Sequence, residues 1–166
     1  MRTALQTRAD GTVANLYAAI LMDGIWLLLS QNEIRSLEPA VDLNLVAPPA
    51  DGVGWISFDD RDWPVYCLSS DLSPSRRLPA TRRICVLLSV DQGYFGLMCD
   101  RLDVLSANRL RPVPLPSIMR LSHTPIGALA LYEGTPRCVI SADALLGFLD
   151  FCADPGSAQA QAGPSC

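Results

Sequence analysis

The chain has 166 residues, 49% of them hydrophobic, and a formal net charge of −4, which predicts one compact domain with a real core. All 13 basic residues are arginine, so mechanisms that need a lysine, such as a P-loop or a Schiff base, are excluded. The acidic balance also argues against a general nucleic-acid-binding protein, which would carry a basic stripe.

The chain begins with a polar segment, residues 1–14, which we interpret as a flexible arm. An apolar run follows, but Asp23-Gly24 interrupts it too early for a membrane span of about 20 residues. Asp-Gly between apolar segments is typical of a β-hairpin, so we predict paired strands at 15–22 and 25–29. The run therefore predicts neither direct membrane insertion nor a signal peptide.

A capping box follows the first hairpin. Ser30 is a good N-cap residue, Glu33 stands three residues later, and Pro39 ends the segment. We therefore predict a small helix near residues 31–38 that presents Ile34 and Leu37 on one side.

The stretch GWISFDDRDWPVYCL, residues 54–68, indicates a second hairpin with strands at 53–58 and 63–68. Its charged tip contains the residues Asp59, Asp60, Arg61 and Asp62. A metal or acid/base site, a solvated turn and a docking surface are all compatible with such a tip. A calcium loop fits less well, because the central glycine and the distal glutamate are missing.

The second half alternates short apolar runs with turn residues. Residues 69–83 form a polar loop whose Arg76, Arg77, Arg82 and Arg83 are interpreted as a solvated charge run, with an acidic-partner contact as the alternative. The predicted strands are 84–90, 94–99, 102–106, 126–132 and 137–140, with a loop at 107–124, a helix near 142–149 and a flexible tail at 151–166.

These elements indicate a mainly antiparallel β-protein of about eight or nine short strands, in barrels or a sandwich. No βαβ alternation supports a nucleotide-binding sheet, and no catalytic motif is present. A small enzyme that uses Asp59, Asp60 or His123 stays an alternative, although no nucleophile and base are paired in the sequence.

The cysteines are scattered without C-x-x-C spacing, which predicts reduced thiols in a cytoplasmic protein and no metal or other cofactor. The six residues are Cys67, Cys85, Cys99, Cys138, Cys152 and Cys166.

Three segments resemble the CheW-like coupling proteins of bacterial chemotaxis, over about residues 15–150. Residues 54–68 are similar to the signature G-x-x-N-L-R-G-x-x-x-P-V-x-D-L. The matching residues are Gly54, Pro64, Val65 and Leu68, with Phe58 in place of a leucine. Residues 93–105, GYFGLMCDRLDVL, resemble the G-x-x-x-G-L-x-V-D-x-V-x-x-V block, and the segment from Gly127 resembles the closing hairpin, strand and helix.

The resemblance implies a single domain at 15–150, made of two intertwined SH3-like five-stranded antiparallel barrels with small helices and a junction near 69–83. It implies a non-enzymatic cytoplasmic signalling adaptor, recruited to membrane receptor arrays. Its partners would be the regulatory domain of a CheA-like histidine kinase and the cytoplasmic tip of a chemoreceptor. The pathway would be chemotaxis, type IV pilus motility or another chemosensory-type system.

The chain departs from the family pattern at the hairpin tip. Asn-Leu-Arg-Gly is replaced by Ser57-Phe58-Asp59-Asp60, so the arginine at the partner surface becomes Asp59 and the glycine of the turn becomes Asp60. The aspartate before Leu68 becomes Cys67. A binding module that serves a different regulator, or that self-associates, is therefore the alternative function.

We predict partner contacts at the tip and in the groove between the barrels. The predicted contact residues are Ile34, Arg35, Leu37, Glu38, Gly54, Phe58, Asp59, Asp60, Arg61 and Val104.

Overall fold

The computed structural model describes residues 16–120 and 123–153. The strands are β1 (Leu16–Met22), β2 (Ile25–Ser30), β3 (Ile34–Pro39), β4 (Gly54–Phe58), β5 (Arg61–Tyr66), β6 (Ile84–Val90), β7 (Gly93–Cys99), β8 (Arg101–Ser106), β9 (Arg111–Pro114), β10 (Ile126–Tyr132) and β11 (Thr135–Ile140). The α-helix is α1 (Ala142–Ala153), and single 3-10 turns occupy Gln31–Glu33, Ala40–Asp42, Ala107–Arg109 and Ser117–Met119. No described helix has the length and apolar character that a membrane span requires.

The strands form two curled sheets. The first sheet has the order β8-β1-β2-β11-β10-β9 and the second the order β3-β6-β7-β5-β4. Neighbouring strands are antiparallel except for one parallel pair in each sheet, β2 with β11 and β5 with β7. Because β3–β7 form the second sheet between two parts of the first, the sheets are intertwined. The prediction of a mainly β fold with two barrel-like sheets and small helices is confirmed.

Three clusters of buried side chains hold the sheets together. The central core contains residues of both sheets and of α1, among them Ile20, Leu27, Leu97 and Leu145. A second-sheet interior contains Leu43, Val53, Ile56, Val65, Cys67, Cys85, Leu87 and Met98. A first-sheet interior contains Ala19, Leu28, Leu105, Leu110 and Ala130. Successive strand residues point to opposite faces, so β1 supplies two of these clusters and reads as a continuous apolar run.

The hairpin of β1 and β2 has the turn type that its residues predict. Asp23 and Gly24 both have positive φ, at 50° and 84°, and Met22 pairs with Ile25 across the two-residue turn. Positive φ at both central residues defines the type I′ turn, whose twist matches that of the flanking strands. The predicted hairpin at this position is therefore confirmed.

The predicted helix at 31–38 is wrong after its first turn. Glu33 Oε2 accepts the Ser30 N–H at 3.2 Å, so the capping box is present, but the chain then enters β3 at Ile34. In this strand Ile34 is half-buried while Leu37 is exposed. An irregularity between Ile34 and Ser36 pairs Ile34 with Leu88 and Leu37 with Val86, so the two residues still lie on one face, although of a strand and not of a helix. Pairing with β6 explains the difference, because β3 forms an antiparallel ladder with it that is interrupted only between Ile34 and Ser36.

The predicted loop at 107–124 contains a short strand. β9 pairs with β10 although it includes Pro112 and Pro114. Proline cannot donate a ladder hydrogen bond, but it is tolerated on an edge strand, and β9 is the edge of the first sheet. This strand brings the first sheet to six strands rather than the expected five.

One arginine of the predicted solvated run is buried. Arg82 is only 4% exposed, and its Nη1 donates to Cys67 Sγ at 3.2 Å and to the Met98 carbonyl at 3.4 Å. Its Nε lies 3.6 Å from Asp100 Oδ2. Arg76, Arg77 and Arg83 are not buried, so the interpretation of a solvated charge run fails only at Arg82.

The predicted helix at 142–149 is confirmed, but it continues to Ala153 and includes the first residues of the expected tail. The N-terminal arm at 1–14 and the rest of the tail lie outside the described residues. The segment 69–83, the expected junction, connects β5 to β6 within the second sheet. The division into two subdomains stays a prediction.

Candidate functional site

The acidic tip is the two-residue turn between β4 and β5. Asp59 and Asp60 have φ of 50° and 59°, and both side chains are exposed. Phe58 pairs with Arg61 across the turn, so β5 begins earlier than the sequence predicted. Aspartate is one of the few residues that adopt positive φ readily, so this turn forms without the glycine of the family pattern.

The three aspartates of the tip do not converge on one point. Asp62 lies within β5 and pairs with Ser57, whose Oγ donates to Asp62 Oδ1 at 2.5 Å. Strand alternation places this pair on the face opposite to Phe58 and Trp63. Within the described parts of the chain, no group of three His, Cys, Asp or Glu residues is placed to hold a metal ion.

An aromatic cluster supports the tip from inside. Tyr94 contacts Phe58 and Trp63 edge-to-face, with ring centroids 5.4 and 5.2 Å apart. Trp63 Nε1 also donates to the Phe58 carbonyl at 3.0 Å. Gly93 has a φ of 139°, and a Cβ atom there would overlap the Trp63 ring. We call Phe58, Trp63 and Tyr94 the aromatic cluster; it fixes the backbone that carries the acidic turn.

Arg35 connects the tip to the other edge of the second sheet. Its guanidinium carbon lies 5.4 Å from the centroid of the Phe58 ring. Arg35 belongs to β3 and Phe58 to β4, which are the two edge strands of this sheet. The curl of the sheet therefore brings together predicted contact residues from distant parts of the sequence.

An open groove of about 490 Å³ lies beside the tip. It is lined by Asp59, Arg61, Trp63 and the turn from Ser89 to Tyr94. The groove is lined by charged and polar side chains together with the rings of Trp63 and Tyr94. Such a surface can contact a partner side chain, and its charges select the sign of the partner.

The other predicted contact residues are distributed more widely. Leu37 on β3 and Val104 on β8 are 50% and 53% exposed, but they belong to different sheets. Ile34 packs partly against the central core, and Glu38 is half-buried. Gly54 is buried with Asn44 O only 2.6 Å from where a Cβ would lie, so packing alone accounts for a glycine there.

The histidine proposed for an enzymatic alternative is engaged with a ring. His123 is exposed and stacks on Phe151 of α1, with ring centroids 3.8 Å apart and an interplanar angle of 11°. The side chain stacked on the imidazole is an aromatic ring, which cannot donate or accept a proton. This contact therefore does not support a proton-transfer role for His123.

Sequence reasoning missed Trp63 and Tyr94 as members of this site. Strand alternation from Phe58 through the turn could have placed Trp63 on the same face. Tyr94 has no local signal, because it joins the cluster through the parallel pairing of β5 with β7.

Comparison with known proteins identifies the fold. The sequence matches no protein-family model and no curated protein. Among solved structures, the chain is similar to the scaffolding protein TtCheW from Thermoanaerobacter tengcongensis, with a TM-score of 0.61 and 14% sequence identity. The match covers 77% of this chain and 89% of that chain. The two curled sheets with their small helices are therefore a CheW-like fold.

Proposed function

We propose that this chain is a non-enzymatic signalling adaptor that couples a chemoreceptor to a CheA-like histidine kinase. The observation that carries the proposal is the CheW-like fold, shared with a protein named for scaffolding. The sequence resemblance in the hairpin at 54–68 points to the same family independently of the fold comparison. The proposed location is the cytoplasm, with recruitment to receptor arrays at the membrane.

The proposed docking surface is the acidic tip with its aromatic cluster. Asp59 and Asp60 project from a turn that is fixed by edge-to-face ring contacts beneath it. A rigid turn loses little conformational freedom on binding, so more of the contact energy appears as affinity. The acids at its edge would choose a partner with Arg or Lys at the matching position.

The reversed charge at Asp59 favours a second candidate. The family pattern has arginine at this position, so a kinase that complements that arginine would meet a carboxylate here. Like charges placed together across an interface disfavour the wrong partner. The alternative function is therefore a divergent binding module that serves a different regulator or associates with itself.

The test is a titration of the chain against the regulatory domain of the CheA-like kinase and the receptor tip from the same organism. The variants are Asp59→Asn, Asp60→Asn and the double change, because asparagine removes the charge and still accepts positive φ. An exposed ion pair contributes about 0–1 kcal/mol, so each single change should weaken binding by up to about fivefold. The loss should shrink at high salt.

Asp42→Asn is the matched control, because Asp42 is an exposed acid in a different segment. Its affinity should equal that of the wild type. If neither the kinase domain nor the receptor tip binds the wild type, the coupling function is wrong and the divergent module takes its place. If both bind and the tip variants match the control, the adaptor function holds but its surface lies elsewhere.

A further inference from the structure

A row of alternating arginine and aromatic side chains crosses the first sheet. Arg137 lies between two rings, with its guanidinium carbon 4.5 Å from the Trp26 centroid and 4.6 Å from the Tyr132 centroid. Arg101 flanks Trp26 at 6.0 Å and Arg109 flanks Tyr132 at 5.0 Å. We call these five residues the arginine row.

The row lies on the face of the sheet that covers the first-sheet interior. Trp26 and Tyr132 both pack partly against that cluster. They also stand beside hairpin turns, since Asp23-Gly24 lies just before Trp26 and Glu133-Gly134 follows Tyr132 directly. The rings therefore have one side held by the core and the other near the ends of the strands.

The charges of the row are not balanced. Arg101 Nε lies 3.0 Å from Asp103 Oδ1, and Arg109 Nη2 lies 2.8 Å from Glu133 Oε1. Arg137 has no carboxylate within ion-pair distance among the described residues. Three guanidinium groups and two carboxylates leave the row with a net charge of +1.

One donor of Arg137 also lacks a hydrogen-bond acceptor. Its Nε is buried without a partner within the described part of the chain. The terminal nitrogens of the same group are not among the buried unpartnered atoms. Trp26 and Tyr132 both contact the guanidinium of Arg137, and its Nε is buried, so the terminal nitrogens are the donors left for a ligand. This arrangement suits a planar acceptor with two oxygens.

We propose that Arg137 is the docking point for a single Asp or Glu side chain of a partner protein. The carboxylate accepts two hydrogen bonds from the terminal nitrogens, and the flanking rings of Trp26 and Tyr132 shield the pair from water. Arginine and tryptophan are among the residues most enriched at the energetic centres of interfaces, which fits this composition. The exposed pairs of Arg101 and Arg109 form its edge.

The charge balance selects a protein carboxylate rather than a nucleic acid. Nucleic-acid sites neutralise several phosphates with as many basic residues, whereas the row has one uncompensated charge. The chain as a whole carries −4, which repels a polyanion at longer range. A single carboxylate matches the one free guanidinium without adding repulsion.

This proposal does not rest on the proposed function. The arginine row belongs to the first sheet and is basic, whereas the acidic tip belongs to the second sheet. The two surfaces carry opposite signs and lie on different sheets, so a result at one leaves the other untouched.

The experiment is an NMR titration of the full chain with two capped peptides that are identical except for one central Glu or Gln. The reported signals are the Trp26 indole and the Arg137 side chain. We expect the Glu peptide to bind up to about fivefold more tightly than the Gln peptide at low salt. Arg137→Gln should reduce binding of the Glu peptide to the level of the Gln peptide. Arg137→Lys should fall between, because it keeps the charge and loses the planar pair of donors.

Arg76→Gln is the matched control, because Arg76 is an exposed arginine outside the first sheet with its own partner, Asp51, at 3.1 Å. It should bind like the wild type. Equal binding of the two peptides by the wild type would overturn the proposal even if Arg137→Gln did not fold. Tighter binding of a single-stranded oligonucleotide through Arg137 would overturn the partner class. Sedimentation that shows a dimer lost only in Arg137→Gln would assign the site to a second copy of the chain instead.

Discussion

At the scale of single residues, the contact of Arg82 with Cys67 could not be inferred from the residues that surround either one in the sequence. A buried arginine needs a partner, and its carboxylate here is Asp100, which lies between β7 and β8. Cys67 occupies the position where the family pattern has aspartate, and its Sγ accepts from Arg82. Burial is the main reason that the pKa of the Cys67 thiol is raised, while Arg82 acts in the opposite direction.

This contact predicts that Cys67→Asp is tolerated while Cys85→Asp is not. Both thiols are buried in the second-sheet interior, but only Cys67 faces a guanidinium. We expect Cys67→Asp to lower the free energy of unfolding by about 1–2 kcal/mol and Cys85→Asp by about 3–5 kcal/mol. Urea unfolding at neutral pH measures both values.

Urea unfolding of both variants over a series of pH values separates the effect of Arg82 from the effect of burial. In Cys67→Asp, Arg82 opposes the rise in pKa that burial causes at this position, so the loss of stability should depend less on pH than in Cys85→Asp. In Cys85→Asp, burial should raise the pKa of the introduced carboxyl group, so that variant should recover stability in mild acid. Equal losses with the same pH dependence would show that Arg82 gives no specific support.

At the scale of elements, Glu33 joins the first turn after β2 to the start of α1. Its Oε2 accepts the Ser30 N–H at 3.2 Å, and its Oε1 accepts the Ala142 N–H at 2.8 Å. The first N–H groups of a helix have no partner inside the helix, and a carboxylate there also complements the helix dipole. One side chain thus caps two elements, although Glu33 and Ala142 are 109 residues apart.

We predict that Glu33→Ala lowers the free energy of unfolding by about 1–2 kcal/mol, because two N–H groups lose their acceptor. The amide of Ala142 should exchange with solvent faster, while the amides in the middle of β6 stay protected. Glu38→Ala on β3 is the control and should leave the Ala142 amide unchanged. Unchanged exchange in Glu33→Ala would mean that the helix start does not depend on this carboxylate.

At the scale of the whole molecule, the two sheets share one core. Strands β1, β2, β6, β7 and β11 and the helix α1 all contribute buried residues to the central core. Neither sheet can lose its side of that core without exposing the other, so the chain should unfold as one unit. The thiols report on both sheets, since Cys85 lies on β6 and Cys138 on β11.

We therefore predict that Cys85 and Cys138 become reactive to an alkylating agent at the same urea concentration, whereas Cys152, which is exposed, reacts without urea. Mass spectrometry of the labelled peptides measures each site. Cys138 is half-buried, so its labelling without urea is the baseline. A rise above that baseline at a lower urea concentration than the rise for Cys85 would show that the first sheet opens separately.

The buried thiols also limit the stability of the fold at alkaline pH. Burial raises the pKa of Cys85 and of Cys99 from 9.0 to about 12. The folded chain then holds these protons more tightly than the unfolded chain does. Their contribution to stability is complete below pH 9 and is lost as pH rises toward 12.

Elements that depend on neighbouring residues could be predicted from the amino-acid sequence alone. Asp23-Gly24 specifies a two-residue turn, alternation specifies the strands beside it, and the apolar spacing after Ser141 specifies α1. The last strand was predicted at 137–140, but it begins at Thr135, directly after Gly134. The acidic hairpin and its exposure were predictable for the same reason, since its strands and its turn are adjacent in the chain.

Features that depend on residues distant in the sequence could be determined only from the tertiary structure. Ile34 begins a strand rather than continuing a helix because β3 pairs with β6. Arg82 can be buried because Asp100 lies beside it as an ion-pair partner. Tyr94 reaches the tip through the pairing of β7 with β5. A local pattern records propensity, but long-range hydrogen bonds, packing and ion pairing outweigh that propensity once the chain closes on itself.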